Sequence, residues 1–304
     1  MRSALAWAAA VALLPGAAAR AEAGTERRVV RVNVLGEDGT RVPGLTAGSF
    51  RGEFRGRPVK VLAAAEESAA RDVAIVVDVS GSQGGREGEA TWRAAERFAD
   101  GLVPRHRVVV LTAGETLKQH GPLTSDPETL RKALSDARAR APWGPSALLD
   151  GVLKASLGFR DTGAGSAVCL FSDGEDTSST ISRDELGQAL VERGVRLFAV
   201  QAERPPRAPV TAPLEEAGRW TRAVAEATGG LVVRLRLSGE LPSEQALPQL
   251  WSSIADVYRL ELEFPAEVDK LRDWKLEVRG QDGSRLRNVR LVYPRSIAPA
   301  PPHP

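Results

Sequence analysis

Three periodicities follow one another along the chain. From Arg28 to about Leu62, Val30, Val32 and Val34 alternate with polar residues. Asp38-Gly39 then marks a turn, and a second extended stretch, RPVKVL, follows Arg55-Gly56, which together predict a small β module over 26–66. From Asp72 to about Arg236 the pattern changes to apolar runs alternating with stripes at helical spacing. VAIVVD, RVVVLT, AVCLFS, VRLFAVQ and LVVRLR read as buried strands, and helical stripes such as Trp92, Ala95, Ala99 and Leu102, or Leu130, Ala133, Leu134 and Ala137, lie between them. This alternation predicts an α/β unit over 71–236 with a doubly wound, mostly parallel, Rossmann-like sheet covered on both faces. Beyond Gly239 the period returns to two: Tyr258, Leu260, Leu262 and Phe264, then Trp274, Leu276 and Val278, then Val289, Leu291 and Tyr293. Asp282-Gly283 is a hairpin signal, and a helix around Leu247 to Ala255 precedes this second β module, placed at 240–296. The flanking modules are each small for independent stability, which favours their lying together, but the pattern leaves open whether they form one unit.

Boundary signals support the helices. Ser125-Asp126-Pro127 places a capping side chain before a proline in the first turn. Ser182-Arg183-Asp184-Glu185 has capping-box spacing, and Gly194 and Gly229-Gly230 close two later helices.

The two ends read as something other than fold. Met1-Arg2 is a short cationic start, Ala4 to Leu14 is an unbroken apolar run of eleven residues, and Pro15-Gly16 breaks it. With small residues at Ala19, Ala21 and Ala23, residues 1–23 are expected to be a cleaved signal peptide, with the mature chain starting near Glu22 or Gly24. The run falls short of the roughly 20 apolar residues a spanning helix needs, so an uncleaved anchor is the weaker alternative. No Cys follows it, which argues against lipid anchoring. The expected location is therefore secreted or periplasmic, with no transmembrane span in the mature chain. Residues 297–304 form a Pro-rich tail.

Composition narrows the function classes. Lys plus Arg at 41 nearly balances Asp plus Glu at 39, and the cations are scattered, so nucleic acid is not an expected partner. A single cysteine, Cys169, excludes an internal disulfide framework and a cysteine-based zinc site. His106, His120 and His303 are isolated, which argues against a zinc hydrolase. No G-x-S-x-G elbow occurs, and GSQGG lacks both the lysine of a phosphate-binding loop and dinucleotide-binding spacing. The chain is not expected to be an enzyme.

One constellation carries chemistry. VAIVVD runs directly into VSGSQGG, so Asp78, Ser80 and Ser82 stand at alternate positions past a strand's C-terminal end, the edge where open α/β sheets bind ligands. Alternate spacing can turn three oxygen-bearing side chains toward one point. Asp173 ends AVCLFS in the same way, and Ser146 stands before a helix in WGPSALLDG. Two carboxylates and three hydroxyls at one edge describe an all-oxygen site for a hard divalent cation, with Mg²⁺ first and Mn²⁺ or Ca²⁺ as alternatives. Glu175 and Asp176 read as a solvated loop, and Thr177, Ser178 and Ser179 as turn residues.

The segments DVSGS, GPSALLDG and FSDGEDTSS, in that order, resemble the von Willebrand factor A domain with its metal-ion-dependent adhesion site, over roughly residues 71 to 236. The resemblance implies that Ser80, Ser82 and Ser146 ligate the ion directly and that Asp78 and Asp173 bind it directly or through waters. It also implies that an acidic side chain of a protein partner completes the coordination. Ser146 stands where the family has Thr and follows Pro145 rather than Gly; the hydroxyl is kept, but the lost methyl frees its rotamer. VNVLGEDGTRVPGLTAGSFRGEFRGRPVKV is in addition similar to the N-terminal segment of exported bacterial proteins related to this family, of the Acidobacteria type, although Gly48 and Ser49 stand where an acidic residue is more usual. The leading expectation is metal-dependent protein binding or adhesion. A metal-independent scaffold acting through its β segments is the alternative, and a metal-dependent hydrolase ranks behind both.

Overall fold

The computed structural model describes residues 25–139, 144–159, 165–203, 212–236, 246–265, 268–280 and 282–299. The expected signal peptide, most of the Pro-rich tail and His303 lie outside them. In chain order the elements are β1 (Glu26–Leu35), β2 (Phe50–Phe54), β3 (Arg57–Ser68), β4 (Asp72–Asp78), α1 (Arg86–Leu102), β5 (Arg107–Ala113), β6 (Leu117–Thr124) and α2 (Pro127–Ala139). They continue with α3 (Leu148–Leu157), β7 (Ala167–Ser172), α4 (Arg183–Glu192), β8 (Arg196–Glu203), α5 (Ala212–Thr228), β9 (Val232–Arg236) and α6 (Ala246–Ala255). The chain closes with β10 (Asp256–Phe264), β11 (Arg272–Asp273), β12 (Lys275–Val278), β13 (Arg290–Val292) and β14 (Ser296–Ile297).

The central sheet has the order β6-β5-β4-β7-β8-β9. All neighbours are parallel except β6, which pairs antiparallel with β5 at the edge. Every residue of β4 and β7 is buried because helices cover both faces. Val73, Ile75 and Val77 pack with α1, α2 and α6, while Ala74 and Val76 face a second core with α3, α4 and α5. The continuous apolar run of VAIVVD is thus two alternating faces read together. Both capping signals are realised: Asp126 Oδ2 accepts the Thr129 N–H, and Ser182 and Glu185 form a reciprocal capping box.

The two outer stretches share one antiparallel sheet of order β12-β2-β3-β10-β1-β13. β10 sits in its middle, paired with both β1 and β3. Tyr258, Leu260, Leu262 and Phe264 from β10 meet Val30, Val32, Phe50, Phe54, Trp274 and Leu276 in a third core. Phe54, Phe264 and Trp274 pack edge to face there. The turn at Asp282-Gly283 forms, but it does not join a hairpin of paired strands. An isolated bridge, Arg279 to Arg285, spans it, with Gly280 N–H donating to Ser284 O and Leu286 N–H to Val278 O, and the chain then passes from β12 at one edge to β13 at the other.

The α/β unit is inserted between β3 and β10, which are neighbours in this outer sheet. Ser68 pairs with Asp256, so the outgoing and returning chains cross side by side. Ala69 N–H donates to Ala255 O, Asn33 Nδ2 to Ser253 O and Asp256 O, and the buried Arg196 guanidinium to Ser253 O and Ile254 O. This junction lies at the start of β4. Seven extended residues, roughly 20 Å, separate it from the C-terminal edge of the sheet, which faces away from the outer sheet. No described helix is long and apolar enough to cross a membrane.

Candidate metal centre

Three loops meet at that C-terminal edge. The first leaves β4 at Asp78, the second runs through Ser146 into α3, and the third leaves β7 at Asp173. They are stitched by backbone bonds: Gly81 N–H donates to Gly144 O at 3.2 Å, and Thr177 and Ser178 N–H donate to Ser146 O at 2.8 and 2.9 Å.

Asp78 is buried at 1% exposure, and both of its oxygens are engaged. Ser80 N–H donates to Oδ1 at 2.9 Å and the Ser172 hydroxyl to Oδ2 at 2.6 Å. Burial pushes the Asp78 carboxyl up to about 6; the bonds from Ser172 and Ser80 oppose this rise, and the nearby Asp173 charge adds to it. A buried carboxylate with a second negative charge nearby is the electrostatic condition a cation relieves. Ser80 Oγ and Ser82 Oγ lie 3.1 Å apart, so the alternate spacing does bring these hydroxyls to one point. Asp173 is buried, and its Oδ1 accepts the Glu175 N–H at 3.0 Å. Gly174, at φ +84°, turns the chain there and donates its N–H to Ser172 Oγ at 2.8 Å, a conformation costly for a residue with a Cβ. Ser146 is buried at 2% exposure, and its Oγ has no hydrogen-bond partner.

The donor chemistry fits a divalent cation. An orphaned buried hydroxyl costs free energy unless something meets it, and Ser146 Oγ is such a group, in a loop bonded through its backbone to the loops that carry the two carboxylates and two further hydroxyls. Among the described residues there is no cluster of three or more His, Cys, Asp and Glu side chains suited to a metal. A cation here therefore depends on the serine oxygens. That favours hard ions with oxygen ligands over zinc or copper.

Residues that read as loop turn out to shape the site. Asp176 Oδ1 accepts the N–H groups of Leu148 and Leu149 at 2.7 and 3.3 Å, capping α3, whose own N-cap Ala147 offers no side chain. Thr177 Oγ1 accepts the Ser146 N–H at 2.9 Å. Ser172 had a signal in the sequence: it is the polar residue ending an otherwise apolar strand, directly before Asp173. Asp176 had a subtler one, since a helix opening on Ala147-Leu148 needs a cap from elsewhere. His106 and His120 are buried separately, bonded to Arg71 N–H and to Thr112.

Residues 73–175 match the sequence profile of the von Willebrand factor type A domain. The central unit has the fold of a von Willebrand factor A domain. Several solved structures resemble it at low identity. Conserved hypothetical protein BatB from Bacteroides thetaiotaomicron is 19% identical, with 61% of this chain and 97% of that chain covered at a TM-score of 0.48. Proximal thread matrix protein 1 from the mussel byssus is 15% identical, with 66% of this chain and 50% of that chain covered at a TM-score of 0.51. Another structure of that byssus protein, with a zinc-occupied metal-ion-dependent adhesion site motif, is 14% identical over the same shares at a TM-score of 0.50. No curated protein sequence matches the chain. At these identities the structural likeness speaks to fold alone.

Proposed function

We propose that this chain is an exported interaction protein whose A domain holds a divalent cation, Mg²⁺ or Mn²⁺, through Asp78, Ser80, Ser82, Ser146 and Asp173. The ion grips an acidic side chain of a protein partner. The observation that carries this reading is the buried, unpartnered Ser146 Oγ, in a loop tied by backbone bonds to the loops of the other four residues. When bound, the ion supplies positive charge with an open coordination position for a carboxylate. The chain's part is to hold Asp78 by Ser172 and Ser80, to keep the Ser80 and Ser82 hydroxyls together, and to present them at an edge remote from the outer sheet.

The byssus protein's zinc-occupied motif supports a metal role for an A domain of this fold. Export is supported by the cationic start and apolar run of residues 1–23.

The test is calorimetric titration of chelator-stripped protein with Mg²⁺ and Mn²⁺, with D78A and D173A as controls. Saturable binding by the wild type, lost in both variants, is expected. Partner capture that persists in EDTA would instead favour the metal-independent scaffold acting through the outer sheet.

A further inference from the structure

Ser146 is held by its backbone on both sides from one short run of chain. Its N–H donates to Thr177 Oγ1 at 2.9 Å, while its carbonyl accepts from the N–H groups of Thr177 and Ser178 at 2.8 and 2.9 Å. Asp176, next along, fixes the following residues by capping α3, and its Oδ1 is itself braced by the Ser179 hydroxyl at 2.6 Å. Each backbone polar group of Ser146 therefore has a partner, and the hydroxyl alone is left over, buried and unpaired.

This arrangement answers a problem posed by the side chain itself. Serine lacks a γ-methyl, so its χ1 chooses among three staggered wells with little preference of its own, whereas a β-branched residue is stiffer there. Pro145 before it has no N–H to anchor the loop from that side. The position of the Ser146 oxygen must therefore be set through the backbone, and the group bonded reciprocally to that backbone is Thr177. Thr177 is itself exposed, so burial of its own side chain does not account for its place.

We propose that Thr177 is a positioning residue of the candidate cation site: its hydroxyl and amide lock the Ser146 backbone so that the Ser146 hydroxyl faces the ion. This rests on the cation reading above. Thr177 does not touch the ion; it acts through Ser146.

The experiment uses the full chain, stripped with chelator, in three forms: wild type, T177V and T177S. T177V keeps shape and loses the hydroxyl, while T177S keeps the hydroxyl and loses the methyl. Mn²⁺ is titrated calorimetrically, and amide hydrogen exchange at Ser146 is followed without metal. We expect T177V to bind Mn²⁺ about tenfold or more weakly, the range for groups that orient a ligand, and to exchange the Ser146 amide faster. T177S should stay near wild type in both. If T177V binds as tightly as wild type, the positioning role is overturned while the cation reading stands. If T177S weakens binding as much as T177V, the hydroxyl is not the working group and the proposal fails. A wild type that does not bind Mn²⁺ at all removes the cation reading and this proposal together.

Discussion

The Ser172 hydroxyl donates to Asp78 Oδ2 at 2.6 Å across two adjacent parallel strands, and the Gly174 N–H donates back to the Ser172 oxygen at 2.8 Å. One serine thus ties the carboxylate leaving β4 to the turn that carries Asp173. S172A removes the hydroxyl that holds Asp78 Oδ2 and leaves the carboxylate tied from the Ser80 side alone. Divalent-cation affinity should fall about 10- to 100-fold, as for other groups that orient a ligand, with S172T much closer to wild type. Calorimetric titration of both variants checks this, and equal affinity in S172A would remove Ser172 from the site.

Gly101 in α1 lies beneath the indole of Trp251 in α6, whose Nε1 donates to Phe98 O at 3.0 Å and whose ring stacks on Phe98. A Cβ at position 101 would come 2.2 Å from the indole carbons, so G101A must push the ring aside. Alanine gains about 1 kcal/mol of helix propensity, but overpacking against an anchored ring costs about 1–3 kcal/mol. G101A is expected to lower Tm and to shift tryptophan emission to the red as α6 loosens from α1. An unchanged emission spectrum would contradict this packing.

The parts of this fold that were legible in advance are those where side-chain period and burial agree. β4 and β7 announce themselves because both faces are covered, and β10 because one face is. The edge strand β6 was not legible: LKQHGPLT carries Gly121-Pro122, which an edge tolerates because its outer hydrogen bonds face away from the ladder. β3 runs on to Ser68 through AAAEES, a stretch of low strand propensity held by its pairing with β10. In the site, Asp78, Ser80 and Ser82 were readable because they are adjacent in sequence at a strand end. Thr177 was not, and Asp176 was signalled only by the missing cap of α3 and not by its own surroundings: their bonds go to residues some thirty positions earlier, and a polar loop looks the same whether it faces water or another loop. The crossing from β12 to β13 was hidden similarly: a turn signal specifies the turn and says nothing of which edges its arms will join.

Tyr258 anchors the loop between β1 and β2 from the centre of the outer sheet. Its hydroxyl lies 2.7 Å from Val42 O and 3.0 Å from Glu66 Oε1, and it accepts the Leu45 N–H at 3.2 Å. Glu66 in turn accepts the Gly44 N–H and pairs with Arg41. Y258F leaves these loop groups without their shared partner and should cost about 1–3 kcal/mol. Denaturant unfolding measures the loss. Hydrogen exchange should place the added opening at residues 41–45 and leave the central sheet unaffected.

His106 makes stability depend on pH at the junction of the two units. Its ring is buried and its Nδ1 accepts the Arg71 N–H at 3.0 Å, a bond only the unprotonated nitrogen can accept. Burial pushes its pKa down to about 4; the charges of Arg105, Arg71 and Arg196 add to the fall, and Asp256 opposes it. In the unfolded chain the ring titrates near its ordinary value of about 6.5. Between those values the unfolded state binds the extra proton. The His106 contribution is therefore fully present above about pH 6.5 and is lost progressively as pH falls toward 4. H106Q keeps a potential acceptor for Arg71 and cannot titrate. Other groups also weaken the fold in acid, so the readout is the difference between wild type and H106Q in denaturant unfolding at pH 7, 5.5 and 4.5. Wild type should lose more stability than H106Q over that interval, and parallel losses would show that His106 is not the group responsible.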